Sequence, residues 1–129
     1  MAKYYENLGD LTPDNLFAGG NIPVHTASCV IKSGEGKLAR GTVVAMSGGT
    51  AGTGKFVILG TTAVSNETLT AYGVLCDDVD ATSADTVAEI YVSGQFNKGA
   101  LVVKSGYTIT AADIKTLRDG GIYVESVVD

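Results

Sequence analysis

Hydrophobic and polar positions along this chain alternate in short runs, broken by glycine and by clusters of aspartate. The clearest runs lie between residues 71 and 96. Tyr72-Gly73-Val74-Leu75-Cys76 predicts a buried strand. An acidic turn follows, Asp77-Asp78-Val79-Asp80. Then Val87-Ala88-Glu89-Ile90-Tyr91-Val92 predicts a second strand, stopping at Ser93-Gly94 before Gln95-Phe96. Side chains alternate across a strand, so Ala88, Ile90 and Val92 share one face and Val87, Glu89 and Tyr91 the other. Both faces carry apolar groups, which places these strands inside a packed sheet or against a partner.

The rest of the chain is organised around this pair. Residues 24–31 predict a first strand, with Thr26 and Ser28 interrupting its alternation. Residues 32–37 form a polar turn, and Thr42-Val43-Val44-Ala45-Met46 a second strand. A glycine-rich loop, SGGTAGTGK, leads into Phe56-Val57-Ile58-Leu59, so these two strands flank a hairpin-like connection. Residues 60–70 form a polar loop. After the central pair come a turn at Asn97-Lys98-Gly99 and a short strand at Leu101-Val102-Val103. Thr110 then starts a short helix: its hydroxyl can cap a free amide, and Asp113 suits the positive helix end. Ile114 and Leu117 share one helix face, Arg118 sits in the last turn, and Gly120-Gly121 supplies a left-handed stop. A closing strand occupies residues 122–127. The pattern predicts a mainly β fold with one short helix, a compact single domain over residues 24–129.

Residues 1–23 differ in character. Tyr4, Tyr5, Leu8, Leu11, Leu16 and Phe17 are interleaved with polar residues, around a turn signal at Thr12-Pro13-Asp14-Asn15 and a break at Gly19-Gly20. This stretch is too short for a core of its own. Its density of large apolar side chains predicts an extended N-terminal arm that orders when it meets a partner.

With 129 residues, 45% of them hydrophobic, the chain can bury a core without staples. Seventeen glycines and no tryptophan favour short strands and turns over long helices. A net charge of −5 opposes binding to nucleic acid or to an acidic membrane surface, and no Lys/Arg cluster offsets it. No run of about 20 apolar residues and no basic-then-apolar leader occurs, so a soluble chain made in the cytoplasm is expected. Cys29 and Cys76 lie in apolar strands and are expected as buried reduced thiols, with a disulfide as the alternative. Neither has a Cys or His neighbour at metal-ligand spacing.

Candidate chemistry is thin. Gly49-Thr50-Ala51-Gly52-Thr53-Gly54-Lys55 has P-loop spacing, but Phe56 stands where a hydroxyl would bind magnesium, and a strand follows instead of a helix. Asp77, Asp78, Asp80 and Asp85 cluster without the glycine or the bidentate glutamate of a calcium loop. His25, the single histidine, has no nucleophile motif to serve. Asn66-Glu67-Thr68 matches a glycosylation sequon without a secretion signal. The expectation is a protein with no catalytic residues, no metal and no cofactor.

An ordered set of pieces resembles the head decoration proteins of tailed phages, similar to that of phage lambda. The pieces are Arg40-Gly41-Thr42-Val43-Val44-Ala45, Lys55-Phe56-Val57, Tyr72 through Ala81, Val92-Ser93-Gly94-Gln95-Phe96-Asn97, and Leu117-Arg118-Asp119-Gly120-Gly121-Ile122-Tyr123. They span roughly residues 20 to 128. The resemblance implies a homotrimer on the outer surface of the virion, at threefold and quasi-threefold sites of the expanded head. There it would clamp neighbouring subunits of the major capsid protein against the pressure of packaged DNA. It also implies an arm that orders on the capsid by adding a strand, which gives Tyr4, Tyr5, Leu8, Leu11, Leu16 and Phe17 a capsid-binding role. Tyr91 and Val127, on the second strand faces, are the expected trimer contacts. A phage tail or baseplate subunit is the alternative reading of the same composition.

Overall fold

The computed structural model describes residues 16–20 and 22–126. Its hub is one long strand, β8 (Thr86–Asn97), numbered here with the others in chain order: β1 (Phe17–Gly19), β2 (His25–Ile31), β3 (Gly36–Leu38), β4 (Val43–Gly48), β5 (Phe56–Ile58), β6 (Thr68–Leu75), β7 (Val79–Ala81) and β9 (Ile122–Glu125). The first half of β8 pairs with β2 and β6, and the second half with β1 and β9. The pairings β8–β2, β2–β5, β5–β4, β4–β6 and β6–β8 close on themselves, so five strands form a small barrel. Closure removes the edges that an open sheet would expose.

Alternation along these strands separates two apolar layers. Inside the barrel, Cys29, Ile31, Val44, Phe56, Leu75, Ala88 and Ile90 pack together, joined by Leu38 and Ala81 from the two-stranded β3–β7 ribbon. The other faces of β4 and β6 carry Val43, Ala45, Ala71 and Val74 into a second cluster with Leu16, Phe96, Leu117 and Ile122. That cluster lies between the barrel wall and α1 (Ala111–Gly120), β1 and β9. The architecture is mainly β with one short helix, in a single domain.

Several local expectations change. Ser93-Gly94 does not end the strand. The Ser93 hydroxyl donates to the Pro23 carbonyl at 2.7 Å and accepts from the His25 amide at 3.0 Å. Gly94, at φ 140°, supplies the bend where β8 exchanges its barrel partners for β1 and β9. Parts of the turn at 32–37 and of the acidic turn at 77–80 form the β3–β7 ribbon, with Lys37 opposite Asp80. The polar loop at 60–70 ends in the first residues of β6. Leu101-Val102-Val103 makes one isolated bridge, Thr42 to Val102, and no strand.

The helix follows its sequence signals. Thr110 Oγ1 accepts from the Asp113 amide, and the Asp113 carboxylate accepts from the Thr110 amide, both at 3.1 Å. Gly121, at φ 112°, closes the C-terminus. Leu117 is buried on the inner face. The Tyr107 hydroxyl also donates to the Asp113 carboxylate, fastening the preceding loop to the helix start. That bond, helped by burial and by the charge of Asp113, pushes the Tyr107 phenol above its usual 10. A group whose folded pKa is raised adds stability that is present below its unfolded pKa and is lost as pH rises through the folded one. Tyr107→Phe is therefore expected to cost about 1 kcal/mol at pH 7. The gap to the parent should narrow in thermal melts taken above about pH 10. A gap constant from pH 7 to 11 would contradict this role.

Candidate functional site

Two surfaces of the described residues are candidates for contact with other proteins. The first surface is where the chain enters the domain. Leu16 is 2% exposed, and its carbonyl accepts from the Asn97 amide at 2.7 Å. Phe17 pairs with Phe96 across β1 and β8; its ring lies 5.0 Å from that of Phe96 and 5.2 Å, edge-on, from that of Tyr91. Of the six expected arm residues, Leu16 and Phe17 are thus packed into the domain. Tyr4, Tyr5, Leu8 and Leu11 lie outside the described residues. Strand β1 is the terminal strand in the sheet order, and no described residue pairs with its outer side. An edge of this kind displays backbone donors and acceptors that another strand can use.

The second surface lies on the outer face of β2 and β8. Here Val30 sits opposite Val87, which is 73% exposed, and Ser28 donates to Glu89 at 2.6 Å. Further along the same face, Tyr91 is half-buried. Its ring touches Phe17 and Phe96, and Arg40 Nη1 donates to its hydroxyl at 2.6 Å. The same Arg40 nitrogen donates to the Cys76 carbonyl at 2.7 Å, and the guanidinium lies 5.5 Å from the Tyr91 ring centre. In the single chain Tyr91 therefore has intramolecular partners, while Val87 has little cover. Val127 lies outside the described residues.

Several of the groups with chemical potential are engaged within the chain. In the glycine-rich loop the Gly52 amide donates to the Gly49 carbonyl and the Gly54 amide to the Ser47 carbonyl, so these donors turn inward. Ser47 accepts from the Thr53 amide at 3.1 Å and donates to Glu67, whose carboxyl is held below its usual range chiefly by that bond. Lys55 forms an ion pair with Asp85 at 2.6 Å. Strand β5 follows the loop, so no helix dipole faces it.

Three of the four aspartates have partners of their own. Asp78 accepts from the Arg40 amide, and Asp80 accepts from both the amide and the hydroxyl of Thr82. Asp85 accepts from the Ser33 amide at 2.8 Å; its bonds to Lys55 and Ser33 hold its carboxyl below the usual range. A cleft of about 320 Å³ beside the ribbon is lined by Lys37, Leu38, Ala39, Asp78, Val79 and Asp80, with no Ser, Thr, Cys or His among them. Among the described residues, no three His, Cys, Asp or Glu side chains group as a metal-ligand set.

Both cysteines are free and buried. Burial, with Glu89 nearby, pushes the Cys29 thiol up to about 11, and burial likewise raises that of Cys76. The thiolate, the reactive form, is correspondingly scarce. No helix among the described residues is long and apolar enough to cross a membrane.

A sequence profile of the bacteriophage lambda head decoration protein D family matches residues 6–122. The chain belongs to that family. The match begins ten residues before Leu16 and ends at Ile122, so it takes in the whole barrel and the helix. No curated protein matches the chain. The family is a structural one, of the phage head. Surfaces that meet other proteins are accordingly where the function of this fold lies. Sequence reasoning singled out Tyr91 but missed Val30 and Val87 as an exposed pair, because their register across two strands 57 residues apart has no local signal.

Proposed function

We propose that this protein decorates the expanded phage head as trimers at threefold and quasi-threefold sites and clamps neighbouring major capsid subunits. The observation that carries the reading is membership of the head decoration family over residues 6–122. The geometry at the entry to the domain supports it. Edge strand β1, with Leu16 and Phe17 as the anchor, fixes the point at which residues 1–15 join the domain. Tyr4, Tyr5, Leu8 and Leu11 are then the capsid-binding side chains, using strand addition for affinity and apolar pockets for specificity. In a trimer three such arms reinforce one another through effective concentration. Tyr91 and Val127 contribute to the contact between copies, and Val87, on the same face of β8 as Tyr91, adds to it.

The anchor dictates the test. Deleting residues 2–20 would remove Leu16 and Phe17 from the core and confound binding with folding. Deleting 2–15 leaves both in place. That truncation is expected to keep the thermal midpoint and the solution mass, measured by light scattering, and to lose co-sedimentation with empty expanded heads. Full-length protein should pellet with the heads as a trimer. Undiminished binding by the truncated chain would sink the arm reading. A full-length chain that ignores heads would favour the tail or baseplate alternative.

A further inference from the structure

The five seams of the barrel are unequal. Strands β2 and β8 are in register over seven residues of β2, and β4 and β6 over six of β4. The parallel seam between β2 and β5 has a single register pair, Ile31 with Phe56, and the Lys32 amide donates to the Phe56 carbonyl at 3.0 Å. Just beyond that point, side chains take over from the backbone ladder. The Ser33 amide donates to Asp85 Oδ1 at 2.8 Å, and Asp85 Oδ2 pairs with Lys55 Nζ at 2.6 Å. One carboxylate thus spans from the end of β2 to the residue before β5. The Ile58 amide, on β5, donates to Glu35 Oε1 at 2.8 Å, and Glu35 belongs to the turn after β2. The turn is held from its other side by the Gly34 amide, which donates to the Ala81 carbonyl at 2.7 Å.

We infer that the β2–β5 seam is the built-in opening point of the barrel, held shut by the Asp85 and Glu35 carboxylates where a backbone ladder is missing. In the open state the β4–β5 hairpin and its glycine-rich loop swing away from β2, while β8 keeps β2 and β6 together. Such a device lets the domain give locally, without unfolding, when neighbouring subunits load it. Local openings are drawn from the parts of a fold with few backbone bonds and solvent-accessible pairs. This seam fits: both partners of the Asp85–Lys55 pair have side chains 39% exposed.

Amide hydrogen exchange of the full chain, read by NMR, tests the inference with reporters that the substitutions do not touch directly. In Asp85→Ala, the amides of Lys32 and Ile58 are expected to exchange about tenfold faster or more. In Glu35→Ala, those of Lys32 and Ser33 should do the same, since a hydrogen bond to a charged group is typically worth at least such a factor. Central amides of β8 should keep their parent rates. If only the amide that lost its own acceptor speeds up, or if all barrel amides speed up together, the seam is not an independent opening point. The parent protein gives a second reading that needs no variant. At low urea, Lys32, Ser33 and Ile58 should exchange with a weaker urea dependence and less protection than the β8 amides; equal protection would overturn the inference.

Discussion

Phe96→Ala is expected to cost about 3–5 kcal/mol of folding stability, the range for truncating a fully buried aromatic ring. Phe96 has no exposed surface and is the largest fully buried side chain among the described residues. It sits on the second half of β8, between Phe17 of β1 and Val124 of β9. Its ring is 5.0 Å from that of Phe17 and 5.6 Å from that of Tyr91, and its cluster includes Leu117 of α1 and Ile122. These neighbours come from four separate elements, each fixed by its own backbone bonds, so the cavity cannot collapse cheaply. The urea midpoint should fall with an unchanged slope. A thermal midpoint lower by roughly 10–20 °C would correspond for a domain of this size. Because Phe96 also anchors Phe17, the amides of β1 should lose protection first. A loss below about 1 kcal/mol would mean that the outer cluster is loosely packed and that α1 contributes little to the fold.

What the sequence discloses about this fold depends on how far each signal reaches along the chain. The helix was legible because its determinants are local: Thr110, Asp113 and Gly121 act within a dozen residues, and all three make the predicted cap contacts. The barrel strands were legible as strands, since Ala88 and Ile90 do point inward and Val87 and Glu89 outward. Their closure was not, because it rests on pairs such as Val74 with Tyr91 and Ile31 with Phe56, whose register no local pattern encodes. Leu16 and Phe17 show the same limit. An apolar pair beside Gly19-Gly20 reads as part of an arm until Phe96, nearly 80 residues later, supplies its partner. Ser93-Gly94 misled for the opposite reason. Both residues favour turns, but Ser93 satisfies its hydroxyl across to the Pro23 segment, and Gly94 provides a bend within a continuing strand.

Membership of the head decoration family was legible in the ordered set of sequence pieces from Arg40 to Tyr123, and the family match bears it out. The seam was hidden altogether. Asp85 reads as one of four clustered aspartates, and Lys55 as the end of a failed P-loop; their pairing across the barrel gives both a structural role.

The second large effect concerns the seam on the other side of β8. Gly73→Ala is expected to destabilise the domain by about 1–3 kcal/mol or more, although alanine ordinarily restricts the unfolded chain and stabilises. Gly73 lies in β6, opposite Val44 of β4. A Cβ there would stand 2.6 Å from the Tyr91 carbonyl oxygen and 3.0 Å from Ile90 Cδ1. The isoleucine end can turn aside. The carbonyl belongs to the backbone of β8, which β2 holds from its far side, so it cannot retreat without disturbing that pairing. The methyl group would instead push β6 from β8, where the register pairs are only Val74 with Tyr91 and Leu75 with Ile90. Gly120→Ala provides the control. Gly120 ends α1 with open space around its Cβ position and no positive φ, so the same substitution should stabilise by up to about 1 kcal/mol through helix propensity. Urea titrations of the two variants should therefore move in opposite directions. If Gly73→Ala matched Gly120→Ala in sign, β6 and β8 would have to part without cost. The barrel would then be closed by its side-chain core and not by the backbone contact between these strands.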